Sequence, residues 1–232
     1  MAGRLERHKH LLLLVAVLFA LVTQPFAAHE SAGARIAYDV LIAAVTVSVF
    51  LVVFGERRER QVALALLLPA FVLTFALYAS PPLARPAAVA YHLSVALFFG
   101  FAVGVIVRDI FRRHAISFDE VVGAFCGYLL LGLVWGNLYV VVEVLAPGSF
   151  TVAPAIQWQL DDLHLRRALF NYVSFATMAS LGYNDVTTVA PLANILTWLE
   201  VMTAQFYLAV VIAQIVGMKL AQVVGAGASQ AK

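Results

Sequence analysis

Residues 168–185 have the sequence ALFNYVSFATMASLGYND, and this stretch constrains the fold of the whole chain. Its first part, residues 168–180, is apolar and about 20 Å long as a helix, too short to cross a hydrocarbon core about 30 Å thick. The flanking apolar segments, residues 121–145 and 194–218, are long enough to cross. A short apolar helix between two spans predicts a re-entrant hairpin. Non-helical backbone at that depth must be buried in protein or line a wet cavity, so the residues that follow must do one or the other.

The composition indicates a membrane protein. The chain is 63% hydrophobic and 12% charged, whereas about a quarter of the residues in a soluble domain carry charge. Its mean hydropathy of +0.92 is too high for a surface that faces water. The net charge of +2 does not indicate a nucleic-acid partner, and the single cysteine, Cys126, excludes a disulfide within the chain.

Six segments have the length and apolarity of membrane-spanning helices. They are residues 11–28, 34–54, 62–80, 87–107, 121–145 and 194–218. The first has a basic start and ends in Gln24-Pro25-Phe26-Ala27-Ala28, a pattern that a cleaved signal peptide also has. We expect this segment to be retained, and its cleavage would leave the rest of the topology unchanged.

The positions of the basic residues predict the orientation. If the N-terminus is cytoplasmic and all six segments span, 11 of the 15 Lys and Arg residues lie on the inner side and four on the outer side. Cytoplasmic loops carry the excess of Lys and Arg, so both termini are expected inside. The fourth segment has arginines only at its inner end, including Arg108 and Arg112. Voltage-sensing helices carry repeated arginines within the span, so we expect no strong voltage sensor.

Residues 177–185, TMASLGYND, resemble the potassium-channel signature T-x-x-T-V-G-Y-G-D. The resemblance continues through Pro191-Leu192-Ala193 and a glutamate-bearing last helix, and covers about residues 121–218. The chain is therefore similar to bacterial members of the pore-loop channel superfamily. This resemblance implies an all-α subunit of the bacterial inner membrane, with a re-entrant pore helix and a filter loop between helices 5 and 6. We expect an N-terminal membrane domain at residues 1–115, a pore domain at 116–218 and a short cytoplasmic tail at 219–232.

The resemblance assigns the selectivity filter to five consecutive residues: Ser180, Leu181, Gly182, Tyr183 and Asn184. Backbone carbonyls of a potassium filter replace the hydration shell of the ion, and the permeant potassium ion would lie at the first four. Gly182 would supply the unusual backbone angles, Leu181 an apolar peg behind the strand, and Tyr183 an anchor for the outer half. Asn184 stands where the family has its second glycine; asparagine tolerates positive φ better than most residues, and strict potassium selectivity is left open.

The resemblance also implies supporting and cavity-lining residues. Thr177, Asp185, Tyr172 and Glu200 would support the filter, with Tyr172 holding the Asp185 carboxylate and Glu200 bracing the back of the pore helix. On the last helix one stripe at helical spacing would line the ion cavity. It consists of Gln205, Leu208, Ile212 and Val216. Ala204 stands where the family often has a glycine hinge, so a hinge there is not expected.

Other ionisable residues in or near the predicted spans have less definite roles. Asp39 and Glu143 lie near the outer interface, and we expect them to be solvated. His92 is a further candidate, because ionisable groups within a membrane are functional by default. Asp161 and Asp162 precede the short helix and are expected to be solvated or to cap its start.

The expected function is passive potassium flux through a homotetramer, because one loop supplies too few carbonyls to surround an ion and closed symmetry is the usual solution. Partners are other copies of the chain and the lipid bilayer, with no cofactor beyond the permeant ion. A weakly selective cation channel and a secondary transporter remain alternatives. An enzyme is not expected, because no catalytic groups cluster. The sequence does not indicate a gating stimulus.

Overall fold

The computed structural model describes residues 9–29, 32–79, 81–112, 117–160, 162–182 and 185–230, and is mostly helical (87%). The helices of these described ranges are α1 (Lys9–His29), α2 (Ala32–Val53), α3 (Arg57–Ala79), α4 (Pro81–Arg112), α5 (Phe118–Leu145), α6 (Leu163–Met178) and α7 (Pro191–Gln230). A 3-10 helix (Pro154–Leu160) and strands β1 (Phe150–Val152) and β2 (Val186–Thr188) lie in the connection between α5 and α7.

Three helical segments among the described residues are long and apolar enough to cross a membrane. They are Arg85–Arg112 within α4, Phe118–Leu145, which is α5, and Pro191–Val224 within α7. Shorter apolar stretches occupy His10–Gln24 in α1 and Asp39–Val53 in α2. Helix α4 begins at Pro81, six residues before the predicted fourth segment at 87–107, and proline is well tolerated in the first turn of a helix.

The connection between α5 and α7 contains a small sheet that the sequence analysis did not predict. Strands β1 and β2 pair antiparallel, with Phe150 opposite Thr188. The ring of Phe150 is buried and lies 4.7 Å from that of Phe170 on α6 and 5.3 Å from that of Tyr139 on α5, measured between centroids. This cluster of rings fastens the connection to both helices.

Glu143 near the end of α5 was expected to be solvated, and this prediction is wrong. The side chain is 7% exposed, and its carboxylate accepts hydrogen bonds from the backbone N–H groups of Gly148 (2.8 Å) and Phe150 (3.2 Å). The turn after α5 needs an acceptor for these two donors, because the chain leaves the helix there and buried N–H groups must be paired.

Helix α5 is the centre of the packing. Buried residues make up 72% of its most apolar window, against 6% for that of α7. Three glycines on α5 allow its neighbours to approach closely. A Cβ atom built on Gly127, Gly132 or Gly136 would lie closer than 3.0 Å to Tyr207, Phe175 or Asn171, respectively. These glycines are therefore contact points for α7 and α6.

Polar contacts connect the first helices to the rest of the molecule. The Nδ2 of Asn171 on α6 donates to the Oε1 of Gln24 on α1 at 3.0 Å, and both side chains are buried. A guanidinium nitrogen of Arg167, also on α6, lies 3.4 Å from Asp39 on α2. Asp39 was expected to be solvated; its side chain is 35% exposed, and α6 also brings a cation beside it. These two contacts bind α6 to α1 and α2.

Two further polar contacts hold α4 in place. His92 is 1% exposed, and its Nδ1 is 2.7 Å from the Oδ1 of Asn137 on α5. At the opposite end of α4, Arg108 lies 2.5 Å from the carboxylate of Glu59 at the start of α3. Arg108 thus joins two neighbouring helices at the end where the sequence places basic anchors.

The pKa of Glu59 lies below its ordinary value of 4.5. Burial is the largest single influence and raises the pKa. The contributions that lower the pKa outweigh burial when they are taken together. These are hydrogen bonds from Arg108 and from the backbone N–H groups of Glu56 and Gly55, together with the positive charge of Arg108.

Replacing Gly132 with alanine is expected to lower the free energy of unfolding by about 1–3 kcal/mol, because the new methyl group collides with the Phe175 ring. Thermal unfolding of the purified protein measures the change. Gly104→Ala in α4 is the matched control, because its Cβ atom would meet nothing within 4 Å. Equal losses in the two variants would show that α5 and α6 are not in contact at Gly132.

The Glu59–Arg108 pair is expected to make stability sensitive to acid. Because the pKa of Glu59 is lowered in the folded state, the pair stabilises the fold above about pH 4.5, and this contribution is lost as the pH falls through the folded-state pKa. Melting temperatures measured against pH should fall less steeply in acid for Glu59→Gln than for the natural chain. Glu56→Gln, at an exposed neighbour, is the matched control; an equally shallow acid limb in both variants would show that the pair of Glu59 with Arg108 is not responsible.

Candidate functional site

The site is built around the short helix α6, which has 16 residues and is therefore about 24 Å long. It begins five residues before the predicted apolar stretch because Asp162 caps it: the Asp162 Oδ1 accepts the backbone N–H of Leu165 at 3.2 Å. Arg166 reaches back and donates from Nε to the Leu160 carbonyl at 2.6 Å. Of the two predicted caps, Asp162 acts as one and Asp161 lies outside the described residues.

The other end of α6 closes in a tight turn. The backbone N–H of Leu181 donates to the carbonyl of Ala176, and that of Ser180 donates to the carbonyl of Thr177, both at 2.9 Å. This pair of bonds is a Schellman motif, which places one residue in the left-handed region. That residue is Ser180, whose φ is +53°, although glycine usually occupies such a position. The turn sets the direction in which the chain leaves the helix.

The predicted filter residues follow this turn. Gly182 has a φ of +68°, in the left-handed region where glycine is unstrained, and no neighbour lies where its Cβ would be. Leu181 is 57% exposed. The packing expected for it behind the loop is therefore not formed within one chain. Tyr183 and Asn184 lie outside the described residues.

The loop is held at its far end by Asp185. The hydroxyl of Tyr172 on α6 donates to the Asp185 Oδ2 at 3.3 Å, the contact that was expected between these two residues. The carbonyl of Asp185 accepts the backbone N–H of Ala153 at 2.8 Å. Residues 180–182 therefore follow directly from the turn of α6, and Asp185 is held by the small sheet and by Tyr172.

Glu200 on α7 is fully buried behind α6. Its Oε1 lies 2.5 Å from the hydroxyl of Ser174, and its Oε2 accepts a hydrogen bond from the hydroxyl of Tyr139 on α5. The Ser174 hydroxyl also contacts the carbonyl of Gly132 on α5 at 2.8 Å. The carboxyl group thus joins α5, α6 and α7, and Glu200 contacts the short helix through which it was expected to support the loop.

A cleft of 290 Å³ opens beside the loop, between α6 and α7. Its walls include Tyr172, Thr177, Ser180, Gly182, Thr197 and Val201. Thr177 thus faces the loop from α6 in addition to giving its carbonyl to the turn. The cleft is open on one side within a single chain, so the loop is exposed there.

The predicted cavity stripe lies on the surface of α7. Gln205, Ile212 and Val216 are exposed and Leu208 is half-buried. The helix continues unbroken through Ala204, in agreement with the absence of a glycine there, and residues 219–230, set apart as a tail from the sequence, extend the same helix.

Three residues of the site were not identified from the sequence: Ser174, Tyr139 and Gly132. The available signal for Ser174 is its hydroxyl between the apolar residues Val173 and Phe175. Nothing local marks Tyr139, because its partner Glu200 is 61 positions away.

The chain matches no model of a known protein family, no curated protein and no solved structure. The geometry of the loop, of α6 and of the Glu200 cluster is therefore the basis on which a function can be proposed.

Ser180→Gly is expected to raise the free energy of unfolding by about 0.5–1 kcal/mol, because glycine adopts the left-handed conformation without strain. Thermal unfolding measures the change. The same substitution at Ser94, in the middle of α4, should have the opposite sign and a similar size, because it adds flexibility to a helix. A loss of stability at both positions would contradict the turn described here.

Proposed function

We propose that the chain is one subunit of a tetrameric, potassium-type channel, in which residues 180–184 form a filter of backbone carbonyls. The observation that carries the proposal is the loop itself: a sub-bilayer helix ends in a fixed turn and is followed by a left-handed Gly182, and the loop is then anchored at Asp185. Glycine at positive φ allows successive carbonyls to face one side, as an ion filter requires.

Electrostatics support a cation at this place. The C-terminal end of a helix carries partial negative charge, and α6 ends at Met178, next to the loop. The Asp185 carboxylate lies at the far end of the same loop. A cation near the loop would therefore meet negative potential from both ends.

The surface of α7 supports assembly from several copies. Only 6% of its most apolar window is buried within the chain, although α7 lies beside the loop and the cleft. Lipid can cover one side of such a helix. In the proposed tetramer, neighbouring copies cover the remainder, and Gln205, Leu208, Ile212 and Val216 face the ion path. Four copies would supply four carbonyls at each level, whereas one copy supplies one.

The proposal includes six spans, with α1 to α3 crossing the membrane beside α4, α5 and α7. It places both termini in the cytoplasm of a bacterial cell. The contacts of α6 with Gln24 and Asp39 support spans at α1 and α2, because they bring one end of each of these helices to the level of the short helix. In this arrangement α6 enters the membrane from the outer side and returns through the loop.

A less selective cation channel is the second candidate, and Asn184 is the observation that favours it. This residue stands where a second glycine would allow the filter backbone to turn freely. A strained or wider outer half would still replace part of the hydration shell, but it would discriminate less between potassium and sodium. A secondary transporter has less support, because such folds pair two broken helices, and α6 with its loop is the one interrupted element in the described part of the chain.

Reversal potentials of the purified protein in planar bilayers test the proposal. For the selective channel they should follow the potassium gradient and be nearly unaffected by sodium. Equal permeability of the two cations would refute the selective version and leave the less selective channel.

Gly182→Ala should reduce potassium conductance at least tenfold, because the methyl group strains a left-handed residue of the filter. Gly148→Ala, at a φ of +85° in the turn after α5, is the matched control and should conduct normally. Fourfold symmetry of the particle, with density on its axis, is expected from electron cryo-microscopy. A monomer with the loop facing solvent would refute the channel.

A further inference from the structure

The hydrogens available to the buried carboxyl group of Glu200 and to its hydrogen-bonding partners can be counted. This count indicates whether the group is neutral or ionised. The Ser174 hydroxyl carries one hydrogen and two lone pairs. It lies 2.8 Å from the Gly132 carbonyl, which can only accept, and 2.5 Å from the Glu200 Oε1. One hydrogen cannot serve both contacts, so a second hydrogen is needed.

Glu200 is the group that can supply this hydrogen. If its Oε1 carries a proton, Glu200 donates to Ser174, Ser174 donates to the Gly132 carbonyl, and Tyr139 donates to the Glu200 Oε2. Each oxygen then has a partner. If Glu200 is ionised, the Ser174 hydrogen turns to the carboxylate, and the Ser174 and Gly132 oxygens are left 2.8 Å apart with no hydrogen between them.

The surroundings also favour the neutral acid. Glu200 is 0% exposed, and none of the ion pairs among the described residues includes it. The groups that face it are the hydroxyl of Ser174 from α6 and the phenols of Tyr139 and Tyr128 from α5, none of which is a cation. A buried carboxylate without a cation loses several kcal/mol of hydration energy that two hydroxyl donors replace only in part.

We propose that Glu200 holds a proton on Oε1, and that this proton-binding site controls how α6 is attached. With the proton present, α6 is bonded to α5 through Ser174 and Gly132 and to α7 through Glu200. When the proton leaves to water, the Ser174 hydrogen turns to the carboxylate and the bond to the Gly132 carbonyl is lost. The Gly132 carbonyl keeps its hydrogen bond within α5. The hydrogen bond that is lost is therefore the one that attaches α6 to α5.

The site gives α6 two arrangements of hydrogen bonds that differ by one proton. In the neutral state the helix is bound on two sides, and in the ionised state its polar attachment at this turn is to α7 alone. The loop at residues 180–185 begins six residues after Ser174. A change of attachment at Ser174 is therefore transmitted to the loop through less than two turns of helix.

Infrared difference spectroscopy of the purified protein tests this proposal without any measurement of ion flux. At neutral pH the natural chain minus Glu200→Gln should show the C=O stretch of a protonated carboxyl, with the downshift in D₂O that such groups display. Glu143→Gln is the matched control. Glu143 is also buried, and its carboxyl oxygens accept the backbone N–H groups of Gly148 and Phe150, so the acid band assigned to Glu200 should be unchanged in this variant. If the Glu200 variant loses only carboxylate bands, the proposal is overturned.

A second variant tests the position of the proton. Ser174→Ala removes the acceptor of the Glu200 hydrogen, so the acid band should move to higher frequency. An unchanged band would show that Ser174 does not accept this hydrogen. Glu200→Gln should fold, because its amide N–H can donate to Ser174 and its oxygen can accept from Tyr139. Failure of this neutral isostere to fold would itself contradict the proposal.

The spectroscopic result is independent of the proposed channel. A chain that conducts no ions can still hold the proton, and a conducting chain can lack it. If the chain conducts ions and Glu200 also holds the proton, raising the pH until the acid band disappears should change the conductance of the natural chain. The conductance of Glu200→Gln should not respond to this change of pH.

Discussion

The structure depends on the attachment of helix α6. This helix is about 24 Å long and too short to cross a membrane, and other parts of the chain bind it on several sides. Asp162 caps its start, Arg167 and Asn171 connect it to α2 and α1, Ser174 connects it to α5 and α7, and Tyr172 holds the loop beyond it. Every described turn of α6 carries at least one polar contact, and these contacts determine where the loop can lie.

Helix α5 makes this attachment possible. Its glycines allow the side chains of α6 and α7 to approach the backbone, and the Gly132 carbonyl can therefore reach the Ser174 hydroxyl at 2.8 Å. A larger residue at Gly132 would displace the Phe175 ring, which lies next to Ser174 in the chain. The packing of α6 and its hydrogen bonds thus depend on the same face of α5. A substitution that disturbs the packing at Gly132 is therefore expected to disturb the hydrogen bond of Ser174 as well.

The sequence predicts the parts of this arrangement that depend on local pattern. Of the six segments predicted from apolar length, three coincide with helices of the described residues that are long and apolar enough to span a membrane. The short stretch at residues 168–180 predicts α6 with its start displaced by five residues. The Gly-Tyr pair after a hydroxyl marks the loop. Contacts between distant positions are not predictable in this way. The ion pair of Asp39 with Arg167 and the N–H donors of Glu143 are examples, because nothing near Asp39 or Glu143 in the sequence indicates these partners. The sheet of β1 and β2 was missed because two strands of three residues leave no periodic signal.

The small sheet of β1 and β2 divides the connection between α5 and α7 into a paired part and a segment beyond the pairing. Phe150 and Thr188 are paired, so the chain enters and leaves this connection at neighbouring points. The 3-10 helix Pro154–Leu160 lies beyond the pairing and contains no buried residue. Substitutions at the exposed residues Ala155 and Gln157 of that segment leave the Leu160 carbonyl, to which Arg166 of α6 donates, in place, so these two positions suit a fluorescent label on the folded protein.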